Sequence, residues 1–298
     1  MNPSFFQRFR NHIYLHLIIL IWGFTGILGK LISISSVSLV WYRMSIALVG
    51  LIVFFLVTKR SFKVQWLMLA KLIGTGLIIA GHWILFFEAI KVSNVSVTLA
   101  CLSSASLFTA VLEPLFFKRR IIPYELVLGG AVIAGLYLIF RFETNYTLGI
   151  IYSLISAFLA ALFTVINGQF IKTTTSSVIT IYEMLGGVLG ITIYYTIQGG
   201  FPESLPWPSM ADWGYLLILG LICTALAFLV SVEVMKELSP YTVSISINME
   251  PIYAIILALL FFGDTEYMSS GFYFGAGIIL LTIFGNALLK NKFKAKNV

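Results

Sequence analysis

Apolar residues run along this chain in stretches close to twenty long, separated by short polar connections, and polar and apolar positions do not alternate within a stretch. A helix needs about 20 apolar residues to cross a bilayer, whereas a membrane barrel strand alternates. The pattern predicts ten helical spans: His12–Leu31, Val37–Thr58, Trp66–Ile90, Ser93–Phe117, Ile121–Phe140, Thr147–Ile171, Ser177–Gln198, Met210–Met235, Pro240–Phe262 and Ser269–Leu289. The longest connection, Gly199–Ser209, is rich in Gly and Pro, bears Glu203 and reads as an ordered surface loop. Little chain remains for a soluble domain.

Composition narrows the class. The 298 residues are 59% hydrophobic and 10% charged, with mean hydropathy +0.99. Soluble domains are about half apolar and about a quarter charged. The expected fold is therefore an all-α polytopic membrane protein, since lipid tolerates only backbones that satisfy their own polar groups. The net charge of +7 reads as orientation rather than nucleic-acid binding, because the basic residues sit in short loops and the C-terminal tail. With the N-terminus inside, fourteen Lys and Arg fall on the cytoplasmic side, among them Arg8, Arg60, Lys118, Arg119, Lys236, Lys290, Lys292, Lys294 and Lys296. Only Lys30, Lys91 and Arg141 fall outside, and Arg43 and Lys71 lie within spans. The bias predicts cytoplasmic N- and C-termini. Cys101 and Cys223 both sit in apolar runs as packing residues, without disulfide or zinc spacing. The first apolar run continues as a full span rather than ending at a cleavage site.

The chain repeats itself. Offset by 145, Glu88-Ala-Ile-Lys91 falls on Glu233-Val-Met-Lys236, Leu115-Phe116-Phe117 on Leu260-Phe261-Phe262, and Gly130-Ala131 on Gly275-Ala276. Offset by 140, Tyr42-Arg43-Met44 meets Tyr182-Glu183-Met184; offset by 142, Gly26 and Lys30 meet Gly168 and Lys172. Matches in the same order at nearly constant offset divide the chain into residues 1–144 and 145–298, five spans each. An odd number of spans makes the second half enter the membrane the opposite way. The expectation is thus ten transmembrane helices as two five-helix inverted repeats, an architecture of alternating-access transporters with a midplane site.

Two five-span repeats, a first span with Trp22-Gly23-Phe24…Lys30, and the run Met249-Glu250-Pro251…Phe262-Gly263-Asp264 resemble the EamA family of the drug/metabolite transporter superfamily. The likeness covers nearly the whole chain. It departs from the family pattern where Asp264 replaces the usual glutamate and where Arg119 stands at the matching place in the first half. The resemblance implies a secondary transporter in the cell (inner) membrane that exports small metabolites such as amino acids, with spans one, three, four, six, eight and nine converging. It implies a small-molecule substrate, the lipid bilayer and a monomer or weak homodimer as associations, with no nucleic acid. Small drug pumps of the superfamily use a glutamate in their first span. Span one here has none, which lowers the alternative of multidrug or cationic-compound efflux. A channel is disfavoured because no polar face continues through successive spans. A membrane enzyme is disfavoured too, because no nucleophile–base pair and no metal-spaced set appears among three histidines. No cofactor is expected.

Candidate chemistry follows from depth, counted at about 1.5 Å per residue. Trp22, Ser103, Ser104, Asn248 and Glu250 fall near the membrane centre, with His82 and Trp83 somewhat outward. Glu250 is a candidate proton-coupling group, since a proton and a substrate cation would compete for one carboxylate. It equally reads as a brace for the break at Pro251, which deprives the Ile247 carbonyl of its donor. Asn248 suits either the backbone or a ligand. His82 reads as a ligand contact or as half of an interhelical hydrogen bond; Trp22 and Trp83 read as stacking surfaces or as packing. The substrate set is therefore Trp22, His82, Trp83, Ser103, Asn248 and Glu250. Nearer the faces, Arg43 with Glu88 and Glu183 with Lys172 or Lys236 are expected gate ion pairs, against plain snorkelling. Glu125 and Lys71 are expected to snorkel, and Glu113 to pair locally with Lys118.

Overall fold

The structure, a computed structural model, describes residues 5–120, 122–202 and 205–294. The side chains of residues 5–9, 283–284, 286–288 and 290–294 are outside that description. Glu203, Ile121 and Lys296, and the side chains of Arg8, Lys290, Lys292 and Lys294, therefore lie outside the described residues.

The described residues are helical and contain no strand. We number the spans α1 (Phe5–Leu31), α2 (Ser36–Val57), α3 (Trp66–Val92), α4 (Val95–Phe117), α5 (Pro123–Phe142), α6 (Thr147–Phe170), α7 (Ser176–Ile197), α8 (Met210–Val234), α9 (Pro240–Glu266, its last turn the 3-10 stretch Gly263–Glu266) and α10 (Ser270–Lys294). Nine are long and apolar enough to cross a membrane, and α10 adds the apolar stretch Ser270–Thr282. The ten spans expected from the apolar runs are thus present, with boundaries moved by a few residues. Several starts are set by caps. Ser35, Asn94, Ser209 and Ser239 each accept a backbone N–H three residues on, which satisfies a donor that the helix cannot.

Two spans are not continuous. Helix α4 consists of Val95–Leu102 and Ala105–Phe117; the α-helical segments of α9 are Pro240–Ile247 and Glu250–Phe262. Every one of these bounds matches its mate at the offset of 145. At both breaks the backbone tightens to i→i−3 bonds. Ser104 N donates to Cys101 O at 3.1 Å and Leu107 N to Ser104 O at 3.0 Å; their mates are Met249 N to Ser246 O at 3.0 Å and Ile252 N to Met249 O at 3.2 Å. The break in α9 precedes Pro251, which sits in the first turn of the second segment, where a missing N–H costs nothing. In α8, Ile218–Leu226 widens into a π-helical stretch, a form that recurs at functional sites.

Helices α3, α6 and α7 pack closely where glycines remove side chains from the seam. A Cβ at Gly76 would lie 2.2 Å from the Glu183 carbonyl, and one at Gly186 2.4 Å from that of Ile73. Helices α5 and α10 pack on each other, Gly135 and Gly275 each facing the other's carbonyl. None of their described side chains lines the central cavity.

Candidate functional site

The cavity lies between the two halves, walled by α1, α2, α3 and α4 from the first and α6, α8 and α9 from the second. It is narrow, with a cavity volume of about 90 Å³, below the roughly 300–1,000 Å³ of ligand pockets, so a bound molecule needs its walls to move apart. All six residues of the expected substrate set line it: Trp22, His82, Trp83, Ser103, Asn248 and Glu250. Phe86, Phe163 and Phe228 complete an aromatic wall.

The breaks position the centre. The second segments of α4 and α9 both begin at the cavity, so their first-turn amide ends, which carry partial positive charge, open toward it. Glu250 stands in the first turn of its segment and is 6% exposed. Asn248 Nδ2 donates to Ser106 Oγ at 3.1 Å, and Thr109 Oγ1 donates to Ser244 Oγ at 3.1 Å, tying the two broken helices together. Ser103 Oγ turns back to the Leu99 carbonyl at 3.3 Å.

His82 is held between helices. Its Nδ1 lies 2.8 Å from Ser156 Oγ and 2.9 Å from the Ser156 carbonyl, while Ser156 Oγ lies 3.0 Å from the His82 carbonyl. The interhelical hydrogen bond is thus present, and the ring still contributes to the cavity wall. Trp22 Nε1 donates to the Cys223 carbonyl at 3.0 Å. That carbonyl lies in the π-helical stretch of α8, so a ring of the cavity wall is held by backbone that the wide turn presents.

Arg43 changes the picture most. Counting put it near one face as a gate residue paired with Glu88. The structure places its guanidinium 3.9 Å over the Trp83 ring and 5.5 Å from Phe87, with Nε donating to Thr224 Oγ1 at 2.6 Å. It is 2% exposed, lines the cavity, and its Nη1 has no partner. The pair with Glu88 does not form; Glu88 lies near Lys91. A long side chain reaches well beyond its own Cα, and two ring faces one turn apart on α3 offer a guanidinium a better seat than a half-exposed acid. The aromatic spacing Trp83…Phe87 was the signal in the sequence.

The second expected gate pair is also absent. Glu183 is fully buried and takes a bond from Asn167 Nδ2 at 3.3 Å. Lys236 instead pairs with Glu233, three residues earlier on the same helix end. Lys172 lies over the Phe117 ring.

Ion pairs at the two faces involve other residues. Beside the start of α4, Glu266 is fully buried and binds Lys30 at 2.8 Å. It also accepts from Val95 N at 3.3 Å, Ser96 N at 3.0 Å and Ser96 Oγ at 2.8 Å. Beside the start of α9, Glu113 binds Arg119 at 3.2 Å and accepts from Tyr241 N at 2.6 Å. Each carboxylate comes from the far end of the other broken helix, so α4 and α9 run antiparallel. Two expectations are corrected, and a third residue is added. Glu113 pairs with Arg119 rather than Lys118. Glu125, 3% exposed, binds the same Arg119 at 3.0 Å rather than snorkelling. The acid that acts after Gly263 is Glu266, while Asp264 is exposed. Lys71 is exposed, as a snorkelling residue would be.

Ten helices with two broken spans around a polar-centred cavity define a multi-pass membrane protein of the transporter type. The pattern of the EamA-like transporter family matches residues 10–141 and again 147–288, and the chain belongs to that family. It is 21% identical over 272 residues to the uncharacterized transporter YxxF of Bacillus subtilis (strain 168), covering 88% of this chain and 86% of that protein. A solved protein crystal structure superposes with a TM-score of 0.71 at 16% identity, over 94% of this chain and 98% of its own. At that identity the likeness shows the fold alone. The protein is a membrane transporter built from two repeats.

Proposed function

We propose that the protein is a secondary active transporter that exports a small metabolite, with amino acids the class that fits best, by alternating access around the central cavity. Trp22, Arg43, His82, Trp83, Ser103, Asn248 and Glu250 contact the substrate. We place both termini in the cytoplasm and the chain in the cell membrane, on the Lys and Arg bias of its loops.

One observation carries the reading. The same cavity presents a buried acid and a buried base, Glu250 and Arg43, and no salt bridge joins them among the described residues. Ionisable groups at membrane depth are costly to maintain and mark substrate or ion paths. A ligand bearing a carboxylate and an ammonium satisfies both at once, while the aromatic wall takes its apolar part. Efflux of simple organic cations is disfavoured by the same guanidinium, which repels them.

As the acid of the cavity, Glu250 is the group at which a proton and a substrate ammonium compete, which couples export to the proton gradient. Flux of a panel of amino acids from proteoliposomes, with and without a pH gradient, tests both points. Native protein is expected to move at least one amino acid faster with the gradient, and Glu250→Gln to lose that acceleration. Equal acceleration in Glu250→Gln removes Glu250 from coupling; a panel without any saturable flux removes the substrate class.

A further inference from the structure

We propose that Glu183 and Asn167 form a proton-binding site outside the cavity, occupied in the conformation described here. Glu183 lies in α7, about 10 Å from its start, and is 0% exposed. Its one hydrogen bond comes from a neutral amide, Asn167 Nδ2, at 3.3 Å. Its Oε1 and the Oδ1 of Asn167 are both buried and have no partner. An ionised carboxylate is acceptor-only and, when buried, needs a cation or several donors. Protonation removes the charge and supplies the missing donor. The neutral acid keeps the bond that is present, its Oε2 accepting from Asn167 Nδ2 at 3.3 Å, without a buried charge to solvate.

No neighbouring charge does the same work. On α2, Arg43 turns away to Thr224 and Trp83, and Tyr42 donates to the Pro206 carbonyl. On α3, His82 is engaged by Ser156, and Lys71 is exposed. On α8, Glu233 is bound by Ser176 and Lys236, and Cys223 lies against the Ile21 carbonyl. Past the end of α6, Lys172 covers the Phe117 ring, and on α7 Tyr182 donates to the Phe62 carbonyl. The glycine seam of α3 and α7 packs against the same turn, a Cβ at Gly76 lying 2.2 Å from the Glu183 backbone carbonyl, and the buried Glu183 side chain is reached by no solvent. The proton therefore exchanges only when that seam parts.

The repeat says what parting the seam does. At the offsets of 140 and 142, Glu183 and Asn167 are the mates of Arg43 and Thr25, and both of those line the cavity. If the two halves exchange conformations, Glu183 and Asn167 enter the cavity wall as Arg43 and Thr25 leave it. This last step rests on the alternating-access reading; the proton site itself stands on the geometry above.

Infrared spectra of the protein in lipid at neutral pH test the proposal without a substrate, so its failure is separable from a failed flux assay. A protonated-carboxyl C=O component is expected in the native protein, absent from Glu183→Gln and retained in Glu250→Gln. Glu183→Gln keeps the shape of the neutral acid; should it fail to fold, Asn167→Ala decides, because loss of the bond shifts that component. Spectra unchanged in this region for Glu183→Gln, or unchanged for Asn167→Ala, show an ionised Glu183 and overturn the proposal. Loss of the component on adding sodium ions to the native protein gives the site to a metal cation and overturns it too.

Discussion

Helices α4 and α9 are the same device built from different residues. Both break eight residues in, both tighten to i→i−3 bonds there, both are capped by a side chain at the preceding residue, and both have a carboxylate from the other at their start. At the break, however, α4 has Ser103-Ser104-Ala105 and α9 has Asn248-Met249-Glu250-Pro251. The first break forms without a proline or an acid. Neither is therefore required for the geometry, and a role for Glu250 as a mere brace loses its support. What remains special to α9 is chemical: one carboxylate at the cavity, with Ala105 at the mate position. A symmetric frame thus carries an asymmetric charge at the cavity.

The ends of the two helices offer the hardest test of this equivalence. Glu266→Ala leaves Lys30 and two amides at the start of α4 without their acceptor, and losing a fully buried carboxylate from such a network is expected to cost about 3 kcal/mol. Glu113→Ala removes one amide bond and one arm of Arg119, which keeps Glu125, and is expected to cost about 2 kcal/mol. Chemical unfolding of the two variants in detergent orders them; a larger loss for Glu113→Ala would mean that α9 depends on its clamp more than α4 does.

A smaller effect is expected between the breaks. Asn248→Ala removes the bond to Ser106 that joins α9 to α4, worth about 1 kcal/mol in the same unfolding measurement. An effect several times larger would make the link between the helices, rather than their separate ends, the main support of the cavity. Least of all should follow from Ser104→Ala, because the Ser104 hydroxyl is buried without a partner and its removal leaves no group unsatisfied. A stability within about 0.5 kcal/mol of native is expected; a marked loss would show that this serine, and not the repeat geometry, makes the first break.

Much of the frame was legible in the residue order. Spans, repeat and six of the residues that line the cavity were readable from apolar runs and depth counting, because in lipid a helix must be apolar for its whole length and a polar exception stands out. The misreadings have one cause. Counting along a helix gives the height of a Cα and not the direction or reach of a side chain, so Arg43 was assigned to a face when its guanidinium lies at the cavity. The same limit hid Glu266 and Glu113. Each bonds to backbone that is distant in sequence, and the choice among Glu266, Asp264 and other loop acids depends on which helix start lies within 3 Å or so.

By itself, then, the residue order determined the class, the ten spans, the doubled plan and the membrane-depth residues at issue, since hydropathy and periodicity act locally and need no partner. Only the tertiary structure decided which charges meet. It showed that the break in α4 exists without proline, that Arg43 and Glu250 share one cavity without pairing, and that Glu183 is sealed beside Asn167. Those outcomes depend on helices from opposite halves packing together, and on side chains choosing among partners that a linear chain does not bring within reach.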